Sequence, residues 1–236
     1  MRSAARFVRA LGHRWPWLRP LLPAVVIAAC WTSCDTRADP LVVFLGDSLT
    51  SGWKLGEAEA WPAVLARRLA QKGRPIRLIN AGVNGDTTAK ALARLPEVLE
   101  LRPDVLVVAL GTNDALVGLP LDATEGTLER IVVEAQAART RVLVVGVRLA
   151  TGPSAPLVGV AAGDAEQARR LAGIFPRLAA ARRLPLVPDL LAGVAGEKTL
   201  LFPDRLHPNA AGHLRLAENV RPQLELVLAE AEAGRR

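Results

Sequence analysis

Ser48 stands in the stretch "FLGDSLTSG" (residues 44–52), where an apolar run breaks off abruptly into Gly-Asp-Ser. A serine hydroxyl is a weak nucleophile until a base takes its proton. Past the basic leader described below the chain offers two histidines, His207 and His213. His207 lies in "FPDRLHPN" (residues 202–209), three residues after Asp204. Residues three apart on a turn face the same way, so Asp204 can accept the Nδ1 proton and leave Nε2 for Ser48. His213 falls inside a helical stretch, where it is expected on the surface or partly packed, so His207 is the candidate base. Attack by an activated serine on a carbonyl is acyl transfer.

Acyl transfer also needs donors aimed at the oxyanion. The candidates are the backbone N–H of Ser48, that of a glycine in "NAGVNGDT" (Gly82 or Gly85), and the side-chain amide of Asn113 in "GTND". Glycine lets backbone approach a ligand, and an amide donates without adding charge. Each alone fits a turn or a helix cap equally well. Their joint placement, each group just past an apolar run, points to one shared edge.

The elements that must position these groups alternate. Continuous apolar runs at residues 41–45, 76–80, 105–110, 141–147 and 186–188 read as strands. Helical patterns fill 60–72, 88–99, 122–138, 164–183 and 209–232. This order predicts an α/β domain, three-layered and doubly wound, with a mostly parallel five-stranded sheet covered by helices on both faces. Ligands of such sheets bind beyond the carboxyl ends of the strands, where Ser48, Gly82–Gly85 and Asn113 all fall. The segment "TGPSAPLVGVAAG" (residues 151–163) interrupts the alternation and reads either as a linker or as a flap beside the site. Leu116, Leu119 and Leu157 are expected to line a groove for an apolar acyl chain.

The whole chain of 236 residues carries a formal charge of +7, with 50% apolar and 22% charged residues, which suits a globular fold. Arg2, Arg6, Arg9, Arg14 and Arg19 all precede residue 21, and setting them aside leaves 25 basic against 23 acidic residues. The basic character therefore belongs mostly to a leader. There a positive segment precedes "LLPAVVIAAC" (residues 21–30), an apolar run too short to span a bilayer. Such an order reads as an export signal over residues 1–29, a tether over 30–40, and a folded domain over 41–232. The tetrapeptide Ile27-Ala28-Ala29-Cys30 resembles a bacterial lipobox, predicting a periplasmic protein anchored to the membrane through a lipid on Cys30.

Several classes find no support. There is no Gly-rich run ending in Gly-Lys-Ser/Thr for a nucleotide phosphate. Two histidines and no cysteine in the folded part make a poor zinc set, so no metal and no cofactor is expected. The near-neutral mature charge argues against nucleic acid as a partner.

The residues resemble the SGNH (GDSL) hydrolases. Gly46-Asp47-Ser48-Leu49, Gly82-Val83-Asn84-Gly85, Gly111-Thr112-Asn113-Asp114 and Asp204-Arg205-Leu206-His207 are similar to the family's four blocks, in the family's order. Supporting segments, among them Leu92-Ala93-Arg94-Leu95-Pro96, resemble the bacterial periplasmic thioesterase, lysophospholipase and arylesterase branch. The resemblance implies a flavodoxin-like fold with Ser48 as nucleophile, His207 as base and Asp204 as its orienter. It implies Ser48 N–H, Gly85 N–H and the Asn113 amide as oxyanion donors, choosing Gly85 over Gly82. The implied activity is hydrolysis of carboxylic esters or thioesters, on a small-molecule or lipid ester; a monomer is expected. A carbohydrate O-acetylesterase would use the same residues with a shorter acyl pocket, and a lipid-anchored binding protein would not need them together. The stretch before Phe175-Pro176 is longer than that branch carries there, so the acyl preference does not transfer.

Overall fold

The computed structural model describes residues 39–151 and 165–233. The leader, Cys30, Leu157 and nearly all of the 151–163 segment lie outside the described residues.

Five strands form one sheet: β1 (Leu41–Gly46), β2 (Arg77–Gly82), β3 (Val105–Ala109), β4 (Arg141–Val145) and β5 (Leu186–Val187), in the order β2-β1-β3-β4-β5. All four pairings are parallel, with Gly46 level with Gly82 on one side and with Ala109 on the other. β1 and β3 are buried along their whole length, as their unbroken apolar sequences require. β2, "RLINAG", lies at the sheet edge and is only half-buried. The winding reverses between β1 and β3, because β1 leads to β2 on one side and β3 leads to β4 on the other. That reversal opens a crevice at the carboxyl ends of β1 and β3.

The helices are α1 (Ser48–Ser51), α2 (Trp61–Gln71), α3 (Thr88–Ala93), α4 (Leu95–Glu100), α5 (Thr112–Leu116), α6 (Leu121–Ala137), α7 (Ala165–Arg182) and α8 (Ala210–Ala233). α2 packs with α8, while α3, α6 and α7 pack in series, and the two groups cover the two faces of the sheet. Trp61 at the start of α2 meets Phe44 of β1 edge-on, ring centroids 5.1 Å apart. Every fully described layer therefore shares one core.

Four elements differ from the sequence expectation. The helix expected over 88–99 is two, broken at Arg94, because Pro96 supplies no N–H and crowds the backbone before it. α1 and α5 were not anticipated; they are single turns seated directly after β1 and β3, too short to carry a periodic pattern. β5 shrinks to two residues before the chain turns away at Pro188. The two unexpected turns are the ones that carry Ser48 and Asn113.

Candidate active site

The turn that presents Ser48 is built by its neighbours. The Asp47 carboxylate caps α1 by accepting the Leu49 N–H at 2.9 Å, and Gly52, in the left-handed region at φ 79°, closes it by donating to the Ser48 carbonyl. Gly46 is required by space, since a Cβ there would lie 2.2 Å from Thr50 Oγ1. Gly82 is required likewise, with a Cβ falling 2.4 Å from the Ser51 nitrogen. Gly82 is thus the contact at which β2 meets α1. Gly85 differs: it has φ +76° and open space where a Cβ would stand, the mark of a turn residue.

The last loop delivers the histidine. Phe202 and His207 are joined by an N–H to carbonyl bond of 2.8 Å, which folds residues 202–207 into a tight return. Within it Asp204 Oδ1 accepts the N–H groups of Leu206 and His207, each at 3.0 Å. Asp204 Oδ2 lies 2.8 Å from His207 Nδ1, and His207 Nε2 lies 2.9 Å from Ser48 Oγ. Burial pulls the Asp204 carboxyl upward, but the His207 N–H, the His207 ring and the Leu206 N–H outweigh it and hold the carboxyl below its ordinary range. The acid therefore stays ionised beside the ring. Trp53 lies against the other side of His207, centroids 4.2 Å apart, and is itself backed by Phe202. Spacing along the chain gave no sign of Trp53.

The candidate donors lie on the loops that follow β1, β2 and β3, beyond the carboxyl ends of those strands. The N–H groups of Ser48 and Gly85 make no hydrogen bond among the described residues. Asn113 gives one amide hydrogen to the Asp86 carbonyl at 2.9 Å, which fixes the amide and leaves its second hydrogen available. Asp114 ties the two loops together by accepting from the Thr88 N–H at 2.9 Å and Thr88 Oγ1 at 2.6 Å. The arrangement can pull a proton from a hydroxyl and hold a developing oxyanion with neutral donors.

Two titratable groups nearby behave differently. Asp47 is buried, which pushes its carboxyl up to about 7; the Leu49 N–H pulls it back, and the nearby Asp114 and Asp86 push it further. Among the described residues its Oδ2 has no hydrogen-bond partner. His213 is only 1% exposed, correcting the expectation of a surface or partly packed residue. It lies on the buried stripe of α8 with Leu216, Ala217, Val220 and Leu224, and its Nδ1 accepts the Trp61 N–H at 3.0 Å. Burial, aided by His207, lowers its pKa to about 4.

Of the residues expected to line an acyl groove, Leu116 is buried at 5% exposure on α5. Leu119 is 38% exposed, and Val83 and Val117 join it at 43% and 55%. These three apolar side chains sit on the loops after β2 and β3 that also carry Gly85 and Asn113. Beyond the end of β4 a cleft of about 490 Å³ opens between Arg148, Leu149 and α7.

The chain matches the model of the GDSL-like lipase/acylhydrolase family over residues 44–215. It is 34% identical over 212 residues to the esterase TesA of Pseudomonas aeruginosa, spanning 89% of this chain and 100% of that protein. It is 31% identical over 214 residues to the thioesterase 1/protease 1/lysophospholipase L1 of Escherichia coli, spanning 89% of this chain and 92% of that one. A crystal structure of TesA superposes with a TM-score of 0.72 at 33% identity, covering 79% of this chain and 99% of that chain.

Proposed function

Because this chain belongs to the GDSL-like lipase/acylhydrolase family and is an ester-bond hydrolase, we propose that it is a serine esterase that cleaves acyl esters or thioesters through an acyl-serine intermediate. The observation that carries this reading is the single imidazole bridging Asp204 and Ser48 at 2.8 and 2.9 Å. His207 takes the Ser48 proton as Oγ attacks the carbonyl carbon, and ionised Asp204 offsets the charge that the ring acquires. Ser48 N–H, Gly85 N–H and the Asn113 amide hold the tetrahedral oxyanion. His207 then gives its proton to the departing alcohol or thiol. Water, deprotonated by the same ring, attacks the acyl-serine and releases the acid.

The apolar rim of Val83, Val117 and Leu119 beside the donors supports an acyl chain longer than acetyl. Rates on p-nitrophenyl octanoate and acetate test this. A higher kcat/KM on octanoate is expected, with both activities lost in Ser48→Ala. A marked preference for acetate would instead favour a carbohydrate O-acetylesterase, and full activity in Ser48→Ala would overturn the serine mechanism.

The leader supports export and a lipid on Cys30, placing the enzyme at an envelope membrane. Mass spectrometry of the membrane-fraction protein is expected to find an acylated Cys30 at its amino terminus. A soluble product cut further along would exclude the anchor.

A further inference from the structure

Three chain segments carry the oxyanion donors, and something must fix their separation. Arg94, at the break between α3 and α4, lies behind all three. Its Nε donates to Asp86 Oδ2 at 2.8 Å, and its Nη2 donates to the carbonyls of Ala81 at 2.7 Å and Gly46 at 3.3 Å. The Gly46 carbonyl ends β1 just before the turn that presents Ser48, and it also accepts the Val83 N–H at 3.0 Å. Ala81 lies near the end of β2, and Asp86 directly follows Gly85. The Asp86 carbonyl in turn accepts the Asn113 amide at 2.9 Å. One guanidinium therefore touches the Ser48 segment and the Gly85 segment directly, and reaches Asn113 through one residue.

We propose that Arg94 is a positioning residue for the oxyanion hole, setting the distances among the Ser48 N–H, the Gly85 N–H and the Asn113 amide. The inference rests on the serine esterase reading given above. Preorganisation is what makes such donors effective, and a displacement of about 1 Å costs on the order of a hundredfold in rate. Arginine suits the task because its rigid fork meets a carboxylate and carbonyls together, whereas lysine offers a point charge on a flexible stem. The ion pair is mostly enclosed between the loops, so bulk water does not substitute for it. Among the described residues Arg94 makes no hydrogen bond to Ser48 or His207, so proton transfer along Asp204, His207 and Ser48 is not routed through it.

The test is a kinetic cycle on the full chain, using p-nitrophenyl esters and Arg94→Met, Asn113→Ala and the double variant, with melting temperatures for each. Arg94→Met is expected to lower kcat by about 30- to 100-fold with KM within about threefold. The acid limb of its pH–rate profile should stay where it is in the unaltered protein. In the Asn113→Ala background the same change should cost no more than about fivefold, because one donor it positions is already gone. Arg94→Lys should recover little of the loss. If Arg94→Met does not fold, Arg94→Lys and Asp86→Asn run the same cycle. Full kcat in a folded Arg94 variant, an effect on KM alone, or equal losses in both backgrounds would overturn the inference. Those results with Ser48→Ala inactive would leave the esterase reading standing, while an active Ser48→Ala would remove both.

Discussion

His207 and His213 lie six residues apart, yet their surroundings send them to opposite ends of histidine chemistry. His207 sits in a tight loop with an ionised carboxylate at Nδ1, a hydroxyl at Nε2 and Trp53 against its face. His213 is buried on α8 with a backbone N–H donating to its ring, and burial drives its proton off down to about pH 4. The acids repeat the contrast. Asp204 is held ionised by His207 and two backbone N–H groups, while Asp47, with one oxygen unpartnered among the described residues, is pushed up to about 7. Burial alone strips charge from a group; burial with a matched partner keeps the charge and aims it. The loop at 204–207 is the place where this fold does the second.

The largest effect that would break this contrast is on turnover. His207→Ala should lower kcat on p-nitrophenyl esters by about ten-thousandfold or more, with a fold that melts normally. His213→Asn should keep kcat within about threefold. Equal losses in the two variants would erase the distinction between the rings. Next in size is the buried acid. The raised folded-state pKa of Asp47 means that the folded protein holds a proton that the unfolded chain releases. Stability is then full below about pH 4 and falls as pH rises toward about 7. Asp47→Asn, a neutral mimic that still caps α1, should match the unaltered protein at pH 4 and exceed it by up to about 4 kcal/mol at pH 8. Urea unfolding across that range measures it, and parallel curves would mean that Asp47 is not neutral. The smallest is the opposite slope. The folded pKa of His213 is depressed, so its contribution is full above about pH 6.5 and is lost as pH falls through about 4. His213→Asn should flatten that acid limb by about 3 kcal/mol.

The sheet was legible because β1 and β3 are unbroken apolar runs and the other strands carry short ones, and the positions of Ser48 and Asn113 followed from where β1 and β3 stop. His207 was legible because Asp204 stands at a spacing that a turn can use. His213 was misjudged although a signal existed: it falls on the apolar stripe of Leu216, Val220 and Leu224, so helical periodicity alone places it inside. Trp53 and Arg94 were missed for a different reason. Their partners, His207 in one case and Gly46, Ala81 and Asp86 in the other, come together only when separate loops meet at the sheet edge. Local spacing carries no record of such meetings. α1 and α5 escaped notice because one turn of helix has no period to read. The interruption at 88–99 could be read from Pro96, which suits the first turn of a new helix and disfavours helical backbone in the residue before it.

The account stands on Ser48 as the nucleophile, and covalent capture tests that most directly. The full chain is treated with a fluorophosphonate, digested, and searched by mass spectrometry for the modified peptide. The label is expected on Ser48 alone, at a rate that falls steeply in His207→Ala, with none taken up by Ser48→Ala. A label on another residue, or uptake by Ser48→Ala equal to that of the unaltered protein, would contradict the account.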